Sequence, residues 1–283
     1  MRVTPTVSAL SSGSTDPVLD LRSAAFGYAE RTIITDIDLT VHPGEVVAVL
    51  GPNGSGKSTL VKGLVGLAQH TAGEVRLFGE PLDHVHDRWR LGYVPQRHTL
   101  ATSLRSTVGE VVGVGRVAHT PWWAPWRAGS AENKRLIAQS LSLVGLGDQQ
   151  RTDVTTLSGG QQRRVLIARA LAAQPEAILM DEPTAGVDRA NQQVLGEVLT
   201  RLAAAGRTMV IVTHELEAIR PAVTRAVAID SGRIIYDGPP DAIDTSITGH
   251  VHHHHDDDDD TAGVGAPTLT APHPMPPVER PHA

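Results

Sequence analysis

Gly51–Pro52–Asn53–Gly54–Ser55–Gly56–Lys57–Ser58 is the stretch that decides the fold of this chain. It matches G-x-x-x-x-G-K-[ST], between a predicted buried strand (residues 45–50) and a predicted helix (residues 57–67). The glycines let backbone N–H groups converge on an anion, and the positive end of the helix points at the same place. The stretch predicts a phosphate-binding loop in which Lys57 reaches phosphate oxygens and the Ser58 hydroxyl, beside Thr59, ligates Mg²⁺. The alternative is a glycine-rich turn with an incidental lysine.

Outward from this loop, β-branched apolar segments alternate with helical patterns, as is typical of an α/β sheet. Strands are predicted at residues 18–26, 32–41, 45–50, 74–78, 91–94, 177–180, 208–212 and 226–229, with two short strands flanking Ser231–Gly232. Helical spacing at residues 106–113 and 132–144 predicts a helical insertion, about residues 97–157. A further helix is predicted at residues 159–173.

Both ends of the chain differ from this pattern. Residues 1–16 lack a basic segment followed by an apolar one, so we expect a flexible arm and no secretory signal. Residues 246–283 are polar and proline-rich, and we expect a disordered tail. One domain, residues 17–245, is predicted between them.

Composition excludes several classes of function. The formal net charge of −6 gives no general basic field, so no nucleic-acid partner is expected. The chain has no cysteine, which excludes disulfides and thiol catalysis and fits a reducing cytosol. No apolar run is long enough to span a membrane.

Two further segments carry candidate chemistry. A buried strand ends at Asp181, which is placed to orient Mg²⁺, and the next residue, Glu182, can act as general base toward a water. Such acids are often merely solvated. In residues 157–161, Ser158 can cap a helix whose glycines leave its first N–H groups open, a second anion site. An ordinary capped helix start is the alternative.

Taken together, these motifs resemble the set of an ABC-type ATPase over about residues 18–240. They occur in the order Gly51 to Ser58, Gln96, residues 157–161, Asp181 and Glu182, Asp188, His214. The resemblance implies an α/β fold: a P-loop NTPase core of ABC type with an antiparallel β subdomain and an inserted helical subdomain. It also implies ATP and Mg²⁺ as cofactors, and a head-to-tail homodimer that encloses two nucleotides.

The resemblance also assigns roles to single residues. Tyr28 resembles the aromatic residue that stacks on adenine, although a core tyrosine is the alternative. Gln96 resembles the glutamine that senses Mg²⁺ and the γ-phosphate, and His214 the switch histidine that contacts the γ-phosphate. Asp188 resembles the residue that couples the two sites. The resemblance implies that the partner's nucleotide is contacted by Ser158, Gly159, Gly160 and Gln161.

Within the family, three stretches are similar to ATPases of zinc/manganese-type importers. They are Tyr93–Val94–Pro95–Gln96–Arg97, residues 108–116, and Asp181–Glu182–Pro183–Thr184–Ala185–Gly186–Val187–Asp188. The chain departs from that pattern at residues 98–104, where those proteins often carry an acidic stretch containing Phe-Pro. An ATPase for another substrate, an exporter ATPase and a non-transport ABC protein acting on ribosomes or DNA are the alternatives.

The tail and the tryptophan-rich loop suggest partners. The tail contains suitable Zn²⁺ ligands, namely the imidazoles of His250, His252, His253, His254 and His255, followed by five aspartates. The alternative is a tail that binds no metal. Trp122, Trp123 and Trp126 either contact a permease or pack the insertion. The family implies an integral membrane permease, indirectly a substrate-binding protein, and a peripheral place on the cytoplasmic face of the membrane.

Overall fold

The computed structural model describes residues 16–29, 31–96, 106–120, 123 and 129–243. Its strands are β1 (Leu19–Tyr28), β2 (Arg31–Val41), β3 (Val46–Leu50), β4 (Gln69–Leu77), β5 (Glu80–Pro81), β6 (Leu91–Val94), β7 (Ala177–Asp181), β8 (Thr208–Val212), β9 (Arg225–Asp230) and β10 (Arg233–Gly238). Its α-helices are α1 (Lys57–Leu64), α2 (Val108–Gly113), α3 (Ala131–Leu143), α4 (Gly159–Ala172) and α5 (Arg189–Ala204).

Six of the strands form one sheet in the order β10-β9-β3-β8-β7-β6. All neighbours in it are parallel except β9 and β10, which form a hairpin. Parallel strands end at the same edge, so the residues that follow β3, β6, β7 and β8 lie together there. Ligands of such sheets bind outside the carboxyl ends of the strands, so this edge is where a ligand site is expected.

The central strand β3 is buried on both faces, and its residues alternate between two cores. Val47 and Val49 face a core shared with α1 and the antiparallel strands. Val46, Ala48 and Leu50 face a core shared with α2, α3, α4 and α5. Burial on both faces explains why the strand is continuously apolar, as expected for a covered parallel sheet.

A second sheet is antiparallel and has the order β2-β1-β4-β5. Leu21 pairs with Leu39 on one side of β1 and with Val75 on the other. The fully buried ring of Phe26 packs on α1 beside Gly63. This sheet is the antiparallel β subdomain that the family resemblance implied, and together with the parallel sheet it confirms the predicted α/β fold class.

Helices α2 and α3 come from the segment between β6 and α4 and pack against α4. Thr107 and Glu110 form a capping box at the start of α2, and Ser130 caps α3. Arg116 is buried, donating from Nε to Asn133 Oδ1 (2.9 Å) and from a terminal nitrogen to the Ala172 carbonyl (3.0 Å). These bonds tie the inserted helices to the end of α4.

The sequence predictions differ most from the structure at four elements, one of which is the short strand β5, which was not predicted. Helix α1 ends at Leu64, not at residue 67, because Gly66 has a positive φ of 79° that stops the helix. Strand β4 begins at Gln69, five residues before the predicted start, since its exposed first residues are held by backbone pairing with β1. Helix α5 was not predicted at all.

Several predicted features lie outside the described residues. They are nearly all of the N-terminal arm, the tail with its histidines, Trp122 and Trp126. Trp123 is described, and 60% of it is exposed. No helix in the described ranges has the length and apolar character that crossing a membrane requires.

Packing of α1 on Phe26 gives a stability prediction. In Gly63→Ala, the added Cβ would lie 2.3 Å from Phe26 Cδ1, so we expect the free energy of unfolding to fall by about 1–3 kcal/mol. In the control Gly113→Ala, on α2, the nearest atom to the new Cβ is Ile137 Cδ1 at 3.5 Å, an ordinary contact. Urea unfolding of both variants is the measurement, and equal stability of the two would contradict this account of the packing.

Candidate active site

Residues 51–58 form a tight loop between β3 and α1, which we call the phosphate loop. Gly51 has a φ of 146°, and a Cβ there would lie 2.0 Å from the Ile229 carbonyl oxygen. Gly56 has a φ of 105°, and a Cβ there would lie 2.1 Å from Ile34 Cγ2. Both positions therefore require glycine, as a loop that curls tightly between β3 and α1 needs.

Lys57 is buried at the base of this loop. Its ammonium donates to the carbonyl oxygens of Gly51 (2.8 Å) and Pro52 (2.7 Å). Burial lowers the pKa of Lys57, and the charges of Glu182 and Asp181 oppose that shift. Ser55 Oγ is also buried, with no hydrogen-bond partner among the described residues. A buried cation and an unpartnered hydroxyl in one loop fit a polyphosphate, which would supply acceptors to both.

Ser58 and Asp181 meet across the edge of the sheet. Ser58 Oγ donates to Asp181 Oδ1 at 3.0 Å. Burial raises the pKa of Asp181, the Ser58 hydrogen bond lowers it, and the nearby Glu182 charge raises it. A hydroxyl and a carboxylate are oxygen ligands that fit Mg²⁺ held jointly with phosphate oxygens. Within the described ranges no group of three or more His, Asp or Glu side chains could hold a metal ion by itself.

Glu182 lies between Gln96 and His214. Gln96 Nε2 donates to Glu182 Oε2, and His214 Nδ1 lies 3.7 Å from Glu182 Oε1. That nitrogen is buried without a hydrogen-bond partner in the described structure. Glu182 has a φ of 44°, which costs energy for a side chain with Cβ, and its N–H donates to the Val212 carbonyl (2.8 Å). The Val212 hydrogen bond holds the backbone, and the Gln96 amide holds the carboxylate.

A second carboxylate, Glu215, reaches His214 from the other side. Its Oε1 lies 3.8 Å from His214 Nε2, and its Oε2 accepts from Gln192 Nε2 of α5 at 3.1 Å. Glu215 also exchanges hydrogen bonds with Thr213 through its backbone. Our sequence analysis missed Glu215, although an acid next to a candidate histidine is a signal that could have been used.

Residues 157–161 begin helix α4 as a capping box. Ser158 Oγ accepts from the Gln161 N–H (3.2 Å), and Gln161 Oε1 accepts from the Ser158 N–H (2.9 Å). A Cβ on the exposed Gly159 would meet nothing within 4 Å. In the described structure no hydrogen bond joins these residues to the phosphate loop. The chain therefore presents two separate groups of N–H donors.

Asp188 caps helix α5 close to this second group. It accepts from the backbone N–H (3.0 Å) and the side chain (2.6 Å) of Asn191. These bonds lower the pKa of Asp188. Asn191 also borders Gly160, since a Cβ on that glycine would lie 2.6 Å from it. Asp188 and the start of α4 are thus neighbours through one asparagine.

Tyr28 ends β1 with 42% of its surface exposed, so it is not the core tyrosine of the alternative interpretation. Its ring is available to a planar ligand. Burial raises the pKa of Tyr93, and the charges of Asp181 and Tyr28 raise it further.

One sheet edge thus combines a buried ammonium, a hydroxyl–carboxylate pair and a second carboxylate flanked by an amide and an imidazole. Such a set can bind a phosphate chain with Mg²⁺ and accept a proton from a water. All the candidate catalytic residues, Lys57, Gln96, Glu182 and His214, lie at this edge. Residues 157–161, Asp188 and Tyr28 lie outside that hydrogen-bonded group.

Comparison with known proteins gives one family. The family model described as "ABC transporter" matches residues 34–185, more than half of the chain. The manganese transport system ATP-binding protein MntB of Halalkalibacterium halodurans is 36% identical over 224 residues, 79% of this chain and 87% of that protein. The zinc transport system ATP-binding protein TroB of Treponema pallidum is 36% identical over 75% of this chain and 77% of its own length.

Relatives with other printed substrates are equally similar. The phosphonates import ATP-binding protein PhnC of Alcaligenes faecalis is 36% identical over 76% of this chain and 80% of its own. Among solved structures, cbiO1 from Clostridium perfringens, part of the ABC transporter complex cbiONQ, matches with a TM-score of 0.69 and 26% identity. That match covers 80% of this chain and 89% of the other. The chain belongs to the ABC transporter family of ATP-binding proteins.

Proposed function

We propose that this protein is the ATP-hydrolysing subunit that powers a membrane ABC importer, with zinc or another divalent metal such as manganese as the cargo. The observation that carries the catalytic part is the placement of Glu182 between Gln96 and His214, beside the buried Lys57 and Asp181. The family supports the role in transport, and the printed names of two relatives support the metal.

ATP binds with its phosphates in the phosphate loop. Backbone N–H groups of residues 53–59 and the Lys57 ammonium contact the β- and γ-phosphates. A buried cation attracts the phosphates more strongly than it would in water. Ser58 would ligate Mg²⁺, Asp181 would orient it and Gln96 would sense it, and the ion would neutralise part of the phosphate charge. Tyr28 stacks on adenine.

Hydrolysis needs one water placed in line with the γ-phosphate. Glu182 accepts a proton from this water as its oxygen bonds to the γ-phosphorus, and the bond to the β–γ bridging oxygen breaks to leave ADP. Gln96 holds the carboxylate by its hydrogen bond. The 3.7 Å between His214 Nδ1 and Glu182 Oε1 leaves both atoms free to contact the water and the γ-phosphate. The products are ADP and phosphate.

Two copies of the chain complete each site. Gly159 and Gly160 leave N–H groups open at the start of α4, between the mutually capped residues Ser158 and Gln161. A head-to-tail homodimer brings these four residues to the partner's γ-phosphate. Asp188 couples the two sites through its contacts at the start of α5.

The protein works as a peripheral subunit on the cytoplasmic face of the membrane, under a permease served by a substrate-binding protein. The exposure of Trp123, Val114 and Val117 on the helical insertion supports a contact with the permease there. A cargo other than a metal is the alternative that the similarity to a phosphonate importer favours. The His-rich tail supports zinc, as a loose buffer or sensor with exchangeable imidazole ligands.

Glu182→Gln tests the catalytic assignment. We expect ATP binding to persist while turnover falls by roughly 10²- to 10⁴-fold, because the amide cannot accept the proton. ATP should then trap a dimer of twice the 30.1 kDa chain mass, visible by light scattering. The control Glu197→Gln, exposed on α5, should turn over normally and give no trapped dimer. Normal turnover in Glu182→Gln would remove Glu182 as the base.

The tail is tested by removing its imidazoles while keeping its acids. We expect replacement of His250 and residues 252–255 by alanine to abolish Zn²⁺ binding in isothermal titration. Zinc uptake by cells should change as well, and basal ATPase activity should not. Replacing the aspartates of residues 256–260 by asparagine is the matched control, which should weaken Zn²⁺ binding less. Unchanged Zn²⁺ binding and uptake in the histidine variant would make the tail inert.

A further inference from the structure

Arg163 is a buried cation in the second turn of α4 that the mechanism above does not use. Its residue surface is 8% exposed. One terminal nitrogen donates to the Pro95 carbonyl and the other to the Gln96 carbonyl, each at 2.6 Å. Both are short, as expected when the donor is charged. The guanidinium therefore binds two successive backbone carbonyls in the segment that follows β6.

Burying the Arg163 guanidinium costs free energy, and nearby negative charges offset part of that cost. Burial lowers the pKa of Arg163, and the charges of Asp181 and Glu182 oppose that shift. Those two acids are the ones assigned to Mg²⁺ and to the base. A planar guanidinium, whose N–H donors have fixed directions, can bind two neighbouring carbonyls better than the ammonium of a lysine can. Arg163 is thus matched both to the backbone at Gln96 and to the charge of the site.

Gln96 is held from two directions as a result. Its carbonyl accepts from Arg163, and its side-chain amide donates to Glu182. Arg163 lies on the same rigid helix as Ser158 and Gly159, at most five residues away, or roughly 7.5 Å along the axis. The start of α4 and the base are therefore joined by Arg163 and Gln96.

We propose that Arg163 is a positioning residue for hydrolysis, which fixes the backbone of Gln96 to helix α4 so that the Gln96 amide stays on Glu182. The proposal rests on the function given above, in which Glu182 is the base. In the proposed dimer the first turn of α4 contacts the partner's nucleotide. A movement of α4 would therefore change the position of the Gln96 amide relative to Glu182 in the same chain.

The neighbouring Arg164 provides a matched control. It lies on the same helix, its pKa is also lowered by burial and by the charge of Arg201, and it donates to a backbone carbonyl, that of Val144 at 3.1 Å. That carbonyl caps the end of α3 and has no hydrogen bond to Gln96. Loss of Arg164 therefore removes a similar structural bond without touching the site.

Steady-state ATPase measurements on the whole protein test the proposal. We expect Arg163→Met to lower kcat by roughly 10- to 100-fold, because a displaced catalytic group costs about that much. KM for ATP should change by less than about twofold, since the phosphate loop is intact. Arg164→Met should keep kcat within about twofold of the wild type. An equal loss of kcat in both variants would overturn the proposal.

A double-mutant cycle with Gln96→Ala gives the sharper readout. If Arg163 acts through Gln96, Arg163→Met should lower kcat no further once the Gln96 side chain is absent. If the fold-losses in kcat of the two single variants multiply in the double variant, Arg163 acts independently of Gln96 and the proposal is wrong. Normal turnover of Glu182→Gln would instead refute the base and leave the coupling of Arg163 to Gln96 measurable.

Arg163→Lys covers the case in which the methionine variant does not fold. The ammonium keeps the charge but lacks the planar fork, so it cannot hold both carbonyls in the same geometry. We expect kcat to fall and the melting temperature to stay near that of the wild type. A lysine variant with wild-type kcat would show that charge alone suffices and would contradict the positioning role.

Discussion

The parallel direction of β3, β6, β7 and β8 is the constraint on which the rest of the structure depends. Val94 pairs with Met180, and Met180 pairs with Ile211, so these strands end level with one another. Residues far apart in sequence, namely Lys57, Gln96, Glu182 and His214, therefore meet at one edge. β3, β7 and β8 are buried throughout, so packing on both faces fixes the position of their ends and of the groups that follow them.

Charge is the second organising feature of this edge. Lys57 and Arg163 are buried cations, and Asp181 and Glu182 are buried anions. Desolvation disfavours each of these charges, and their mutual attraction offsets part of that cost. MgATP brings four phosphate charges and a divalent cation into the same space. Charged groups that are already in place need no rearrangement as charge develops in the transition state, which is how preorganised charge lowers a barrier.

The sequence predicted much of this arrangement, because some of the functional groups come from residues that are adjacent in the chain. The phosphate loop needs its glycines and lysine at fixed spacing, and Asp181 and Glu182 simply follow a strand, so these motifs were recognisable. Arg163 was not recognisable, because its partners are the carbonyls of Pro95 and Gln96, which any residue could supply. Helix α5 was missed despite Asp188 as its cap and the helical spacing of Leu195, Val198, Leu199 and Leu202. The resemblance identified Asp188 by its motif alone.

The central claim is that the carboxyl edge of the six-stranded sheet is the MgATP site, and thermal unfolding with and without MgATP tests it most directly. Nucleotide at about 100 times its dissociation constant should stabilise the wild type by about 2.7 kcal/mol. Lys57→Met should lose that stabilisation, whereas Lys134→Met on α3 should keep it. The account predicts a MgATP-dependent rise in melting temperature for the wild type and Lys134→Met only. An undiminished rise in Lys57→Met would place the nucleotide elsewhere and contradict it.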